Sequence, residues 1–158
     1  MLFLSLPGPA FIYQGDELGT RDGPGADPPL DRNHRDGFRH PMQWNGSSTG
    51  GFTTGTPWLP PNAPRLSNVA DQEQDEDSVL EFFRRLIRLR REFGSTTRFL
   101  DSPPGTVVLE RGEHVVAVNL GDASAALPRR GELALETRKG DGADPEAIPA
   151  HAAWIARG

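Results

Sequence analysis

Apolar residues recur at helical spacing in one stretch of the chain. Val79, Phe82, Phe83, Leu86, Leu89 and Phe93 form a single stripe and predict a helix from Ser78 to Phe93. The opposite face carries Arg84, Arg85, Arg88 and Arg91, which read as a solvated surface pairing with acids such as Glu81. Gly94 stands where a left-handed residue closes such a helix. Before the helix, the acidic run Asp71 to Asp77 complements the positive end of the helix dipole, and Ser78 with Glu81 fits a capping box, with Asp77 equally placed as a cap. We read these carboxylates as capping groups rather than a cation site.

Beyond Gly94 the period changes from helical to alternating. Thr106 to Glu110, His114 to Leu120, Glu132 to Thr137 and Ala152 to Ala156 predict strands, with turns at Arg111-Gly112-Glu113 and Gly121-Asp122 and a polar connection from Asp141 to Pro149. About four short strands predict a small antiparallel β unit that gains stability by packing on the preceding helix.

The first part of the chain reads differently. Residues 1 to 6 look like the end of a buried helix stopped by Pro7-Gly8-Pro9. Phe11-Ile12-Tyr13 predicts a short strand buried on both faces. From Gly15 to Pro64 no period persists, yet Phe38, Trp44, Phe52 and Trp58 supply apolar area that predicts an ordered loop with aromatic anchors. Composition sharpens this: 20 of the 33 glycines and prolines lie in residues 1 to 64, which makes that part loop-rich.

At 158 residues the chain is one ordinary domain or two small ones. A net charge of −5 gives no electrostatic reason to bind nucleic acid or an anionic membrane. The absence of cysteine excludes disulfides and thiolate metal sites. Met1 to Leu6 lacks the basic flank of a signal peptide, and no run approaches the ~20 apolar residues of a membrane span, so we expect a soluble, cytoplasmic protein. A chain opening straight into an apolar run, without a polar lead-in, reads as beginning inside something larger.

No catalytic constellation is complete on residue chemistry alone. No serine sits in a G-x-S-x-G elbow, and His34, His40, His114 and His151 show no metal-ligand spacing. No phosphate-binding glycine motif is present, and no cofactor or metal is expected. What remains is a polar, aromatic-rich loop suited to a neutral polyhydroxylated ligand.

Five motifs then carry a resemblance. Leu6-Pro7-Gly8-Pro9-Ala10-Phe11-Ile12-Tyr13-Gln14-Gly15-Asp16-Glu17-Leu18-Gly19 resembles the eighth barrel strand and following loop of α-glucosidases in glycoside hydrolase family 13, the α-amylase family. Arg35-Asp36-Gly37 through Trp44 resembles that group's Arg-Asp-x-x-Arg-x-Pro-Met-Gln-Trp signature. Gly51-Phe52 with Pro57 to Pro60, Asn68-Val69-Ala70-x-Gln72 and the helix around Phe83-Arg84-Arg85-Leu86-Ile87 follow in the family's order. The resemblance implies an α+β chain. Residues 1–94 would be the last strand, active-site loop and last helix of a (β/α)8 barrel, and 95–158 a small antiparallel β-sandwich-like C-terminal domain.

It also implies retaining hydrolysis of terminal α-glucosidic bonds in small oligosaccharides, of the oligo-1,6-glucosidase type. The family's catalytic carboxylates precede the eighth strand and match no position here, so no catalytic residue is assigned and the chain alone is expected to be inactive. The carried-over substrate-binding residues are Arg39, as the contact to the non-reducing-end glucose, and Asp36, as the group orienting it. Glu17 is expected to fix the barrel rim, and Trp44 and Trp58 to anchor the loop rather than stack on sugar. The partners implied are α-linked oligosaccharides and the N-terminal barrel segment. A trehalose synthase or sucrose isomerase parent, or a non-enzymatic sugar- or partner-binding module, remain open.

Overall fold

The structure, a computed structural model, describes residues 1–137 and 145–158. The helices are α1 (Leu2–Ser5), α2 (Val69–Gln72) and α3 (Val79–Arg90). The strands are β1 (Thr97–Leu100), β2 (Thr106–Arg111), β3 (His114–Asn119), β4 (Ala125–Ala126), β5 (Glu132–Glu136), β6 (Ala147–Ile148) and β7 (Ala153–Arg157). The expected connection from Asp141 to Pro149 lies partly outside the described residues; its visible end contains β6. No helix among the described residues is long and apolar enough to cross a membrane. The chain divides into two compact units, one of residues Met1–Ala10 and Arg85–Gly158, the other of Phe11–Arg84.

The first unit is built on an antiparallel sheet in the order β1-β2-β3-β7-β5. Alternation places two apolar rows across it. Leu109, Val116 and Ile155 are in register on one face, and Val108, Ala117 and Trp154 on the other. All six are buried, so the central strands are covered on both sides. The ribbon β4–β6 contributes Ala125 and Ile148 to the cluster of Val108, Ala117 and Trp154, while α1 lies against β3. Four of the strands were legible from alternation; β1, β4 and β6 were not.

Gly112 and Glu113 form the two-residue hairpin between β2 and β3, with Gly112 at φ +63°, the left-handed position a tight primed turn requires. Gly94 does not take the left-handed conformation expected of it. Its role is close approach, because a Cβ there would stand 2.7 Å from the Gly112 Cα.

Two guanidinium groups hold the N-terminal segment. Arg90 donates to the carbonyls of Leu4, Leu6 (2.9 Å) and Gly8 (2.5 Å). Arg111, buried in the sheet, donates to Ser5 (2.6 Å) and to Gly94, and stacks 5.5 Å above the Phe93 ring. Phe93 also meets the buried His114 ring at 5.2 Å. Burial, then the neighbouring Arg90 charge, pulls the Arg111 pKa below the usual guanidinium value.

The second unit has no strand. Its apolar core is small: Leu18, Met42 and Leu80, with Val69 against them. Side-chain amides supply the partners that regular structure otherwise gives the backbone. Gln72 Nε2 donates to Leu18 O (2.9 Å) and Ser67 Oγ (2.9 Å), and Gln72 Oε1 accepts from Leu80 N (2.9 Å). Gln43 Nε2 donates to Asn62 O, and Asn68 Oδ1 caps α2 by accepting from Asp71 N (2.9 Å). Ser78 caps α3 through the Glu81 N–H (3.2 Å), whereas the Glu81 carboxylate pairs with Arg84 instead of closing the box.

Three expectations fail in this unit. Phe11-Ile12-Tyr13 forms no strand and is exposed, Phe11 by 83%, because no other segment of the unit offers it a sheet neighbour. Trp44 and Trp58 do not anchor the loop from inside; they and Phe38 and Phe52 stay about half exposed, while Met42 and Leu59 are buried. Val79 is largely outside and Leu80 inside, a one-residue turn of the helical stripe.

Candidate functional site

The signature segment folds around two buried side chains that flank Arg39. Asp36 opens a 3₁₀ turn, Asp36–Phe38, and is 2% exposed; its oxygens accept the backbone N–H groups of Leu30 (2.8 Å) and Asp31 (2.9 Å). His40 sets its ring nitrogens 2.7 Å from Pro60 O and 3.1 Å from Pro24 O, so one residue ties two neighbouring loop strands. A backbone bond from Gly23 N to Gly37 O (2.7 Å) closes the same crossing.

Asp36 therefore does not orient Arg39 directly, because both of its oxygens are taken by peptide groups. The carboxylate facing Arg39 belongs to Asp31. Arg35 grips Asp31 through Nε (2.8 Å) and Nη2 (2.9 Å), and Arg39 Nη1 reaches the same carboxylate at 3.4 Å. The backbone N–H groups of Asn33 and Arg35 add two more bonds at 3.2 Å. The Arg35 side chain holds the Asp31 carboxyl well below the usual carboxylate range, and Asp31 in turn raises the Arg35 pKa. The Arg39 side chain remains 35% exposed, so its other donors are reachable. Sequence reading missed Asp31; the available signal was its position four residues before Arg35, in a loop whose lack of period gave that spacing no weight.

A cavity of about 100 Å³ opens beside this segment, lined among others by Tyr13, Asp16, Arg21, Phe38, His40 and Gln43. A second, of about 460 Å³, is lined by groups including Leu18, Arg21, Asn62, Leu66 and Gln72. Glu17 turns inward on its own loop, accepting the Gly15 N–H at 2.8 Å. Arg39 lines neither of these cavities; its partly exposed guanidinium suits hydrogen bonding to hydroxyl groups.

The α-amylase catalytic-domain model matches residues 1–98. The oligo-1,6-glucosidase of Heyndrickxia coagulans is 36% identical over 121 residues, covering 56% of this chain and 21% of that protein. Trehalose synthase/amylase of Mycobacterium tuberculosis strain H37Rv is 37% identical over 98 residues, covering 57% and 15%. Among solved structures, trehalulose synthase from Pseudomonas mesoacidophila MX-45 matches with a TM-score of 0.82 at 26% identity, over 99% of this chain and 36% of that one. The chain thus spans about a fifth of the length of the oligo-1,6-glucosidases it matches. With the family model covering well over half of its residues, the chain belongs to glycoside hydrolase family 13, the α-amylase family.

Proposed function

We propose that residues 1–94 serve as the closing strand region, active-site loop and last helix of a family 13 barrel, and 95–158 as its C-terminal β domain. The enzyme so completed hydrolyses terminal α-glucosidic bonds of small oligosaccharides with retention. In such chemistry one carboxylate attacks the anomeric carbon and another protonates the leaving oxygen, about 5 to 5.5 Å apart. No residue of this chain takes either part. Its contribution is ground for the sugar: Arg39 donates to glucose hydroxyls, and Asp36 is a positioning residue that fixes Leu30 and Asp31, and through Asp31 the guanidinium.

The observation that supports this most is Arg39 itself, held within the family signature by one long contact and still open to a ligand. The test replaces the matching segment of the H. coagulans oligo-1,6-glucosidase with residues 1–158 and measures turnover of an aryl α-glucoside. We expect an active chimera, a loss of about 10- to 100-fold in kcat/KM for Arg39→Ala, the worth of one or two charged hydrogen bonds, and no turnover by the 158-residue chain alone. An active chimera indifferent to Arg39→Ala, or turnover by the chain alone, refutes the reading.

A second reading, isomerisation rather than hydrolysis, draws on the similarity to trehalulose synthase over nearly the whole chain. Product analysis of the chimera with sucrose and isomaltose separates the two: free glucose supports hydrolysis and a rearranged disaccharide supports transfer.

A further inference from the structure

We propose that His40 is a positioning residue that acts as an imidazolium, a proton-dependent lock on the loop that carries Arg39. The link to Arg39 rests on the proposed function; the lock rests on the geometry of the ring. Three observations carry it.

The first is valence. Nδ1 lies 2.7 Å from Pro60 O and Nε2 lies 3.1 Å from Pro24 O. A carbonyl oxygen only accepts, and a neutral imidazole has one N–H and one lone pair, so both contacts are hydrogen bonds only when both nitrogens carry a proton. In either neutral tautomer a lone pair faces a carbonyl oxygen, on a residue only 9% exposed and with little water to turn to. The shorter contact has the length of a charge-assisted bond.

The second is confinement. A Cβ at Gly23 would stand 2.7 Å from the ring Cδ2 and closer still to Nε2, so the ring lies directly against the segment whose carbonyl it faces. Gly23 N donates to Gly37 O (2.7 Å), and Asn62 Nδ2 to Arg21 O (2.8 Å). These bonds keep the crossing formed when the ring loses a proton, so titration loosens the hold on Pro24 without unfolding the loop.

The third is placement. His40 follows Arg39 directly, and its own carbonyl accepts from Gln14 Nε2 (3.2 Å), so the lock fixes the main chain next to the guanidinium. Tyr13, Asp16, Arg21 and Asp22 line the cavity beside the ring, and the segment from Pro57 to Asn62 carries no titratable group. With Arg39 adjacent, two acids meet two guanidiniums, which leaves the two carbonyls as the groups that favour a doubly protonated ring. The bond to Pro24, the longer of the two, is therefore present at low pH and lost as pH rises and one proton leaves.

The test uses the 158-residue chain with nitrogen-15-labelled histidine and follows its four rings by NMR as pH is raised from about 5 to 9. His40→Gln, whose amide donates but does not titrate, assigns the His40 signals. We expect the His40 ring to hold two protected N–H protons at the acid end and to lose the one on Nε2 as pH rises. Protection of the Gly23 amide, taken relative to its intrinsic rate at each pH, should fall about 5- to 10-fold in the same step, the worth of one hydrogen bond. In the H. coagulans chimera, KM for the aryl α-glucoside should rise about 2- to 5-fold across that step, and the His40→Gln chimera should lack the step. The wild-type ring and amide signals carry the test where the variant does not fold. A His40 ring with one proton throughout, a Gly23 amide indifferent to the titration, a step that persists in His40→Gln, or an active chimera whose KM ignores the step overturns the proposal. An inactive chimera whose Gly23 amide still follows the ring upholds the lock and counts against the proposed function.

Discussion

Arg39 Nη1 lies 3.4 Å from Asp31 Oδ1, on a carboxylate that Arg35 already holds at 2.8 and 2.9 Å. One acid thus serves two guanidiniums unequally. The tight pair fixes the loop, and the loose one leaves Arg39 free to trade its contact for a ligand hydroxyl.

Asp31 gives the loop an acid limit. A carboxyl whose folded pKa is depressed contributes stability that is complete above its unfolded value, near ~3.9, and is lost as pH falls from there toward the lower folded value. The Arg35 Nε–H resonance should therefore stay protected from neutral pH to well below about pH 4, because the folded carboxyl keeps its charge below the usual carboxylate range. In Asp31→Asn that protection should be weak at every pH. A wild-type loss that begins above pH 6 contradicts the assignment.

Gln72 ties three segments through one amide, reaching Leu18, Ser67 and Leu80. Gln72→Ala leaves the Leu80 N–H short of its side-chain partner, while the Leu18 carbonyl keeps the Ser67 hydroxyl (3.1 Å), and should cost about 1 to 3 kcal/mol. Chemical denaturation followed by the fluorescence of Trp44 and Trp58 reads the loss. Gln72→Glu keeps the acceptor for Leu80 but not the donor, and should fall between wild type and alanine.

His114 is 2% exposed, and neither ring nitrogen has a hydrogen-bond partner. Replacing a buried unsatisfied polar group by an apolar one of similar shape is nearly neutral or favourable. His114→Phe should leave the unfolding midpoint unchanged or raise stability by up to about 1 kcal/mol. A loss beyond ~1 kcal/mol would mean the imidazole does work that the apolar ring cannot.

Gly94→Ala should destabilise the first unit by about 1 to 3 kcal/mol through overpacking against the Gly112 backbone, not through dihedral strain. At Gly112, where φ is +63° and a Cβ would stand 2.9 Å from the Gly94 backbone, alanine adds left-handed strain to the same crowding and should cost more than Gly94→Ala. Thermal unfolding of the variants distinguishes the two causes.

These cases also mark where sequence reading works. The α3 stripe and strands β2, β3, β5 and β7 were legible because their side chains repeat with the period of the element they form. Strand β1, Thr97–Leu100, escaped because an edge strand has no strict inside and outside; Arg98 and Phe99 are both exposed. Phe11-Ile12-Tyr13 was read from propensity, but a strand exists only beside another strand. In the loop, Arg39 was reached through its motif and Asp31 lay four residues before Arg35 in a stretch without period, while Gln72 and His40 act by bonds spanning 16 to 54 residues that no local period encodes.

The clamp on the N-terminal segment has a further consequence. Arg90 and Arg111 grasp Leu4, Ser5, Leu6 and Gly8 solely by their carbonyl oxygens, so they read the path of the main chain and not the identity of its side chains. Leu6, which is only partly buried, can change in character while the grip persists. The two arginines lack that latitude, because lysine presents a compact ammonium in place of a planar fork and cannot span carbonyls set this far apart along the chain.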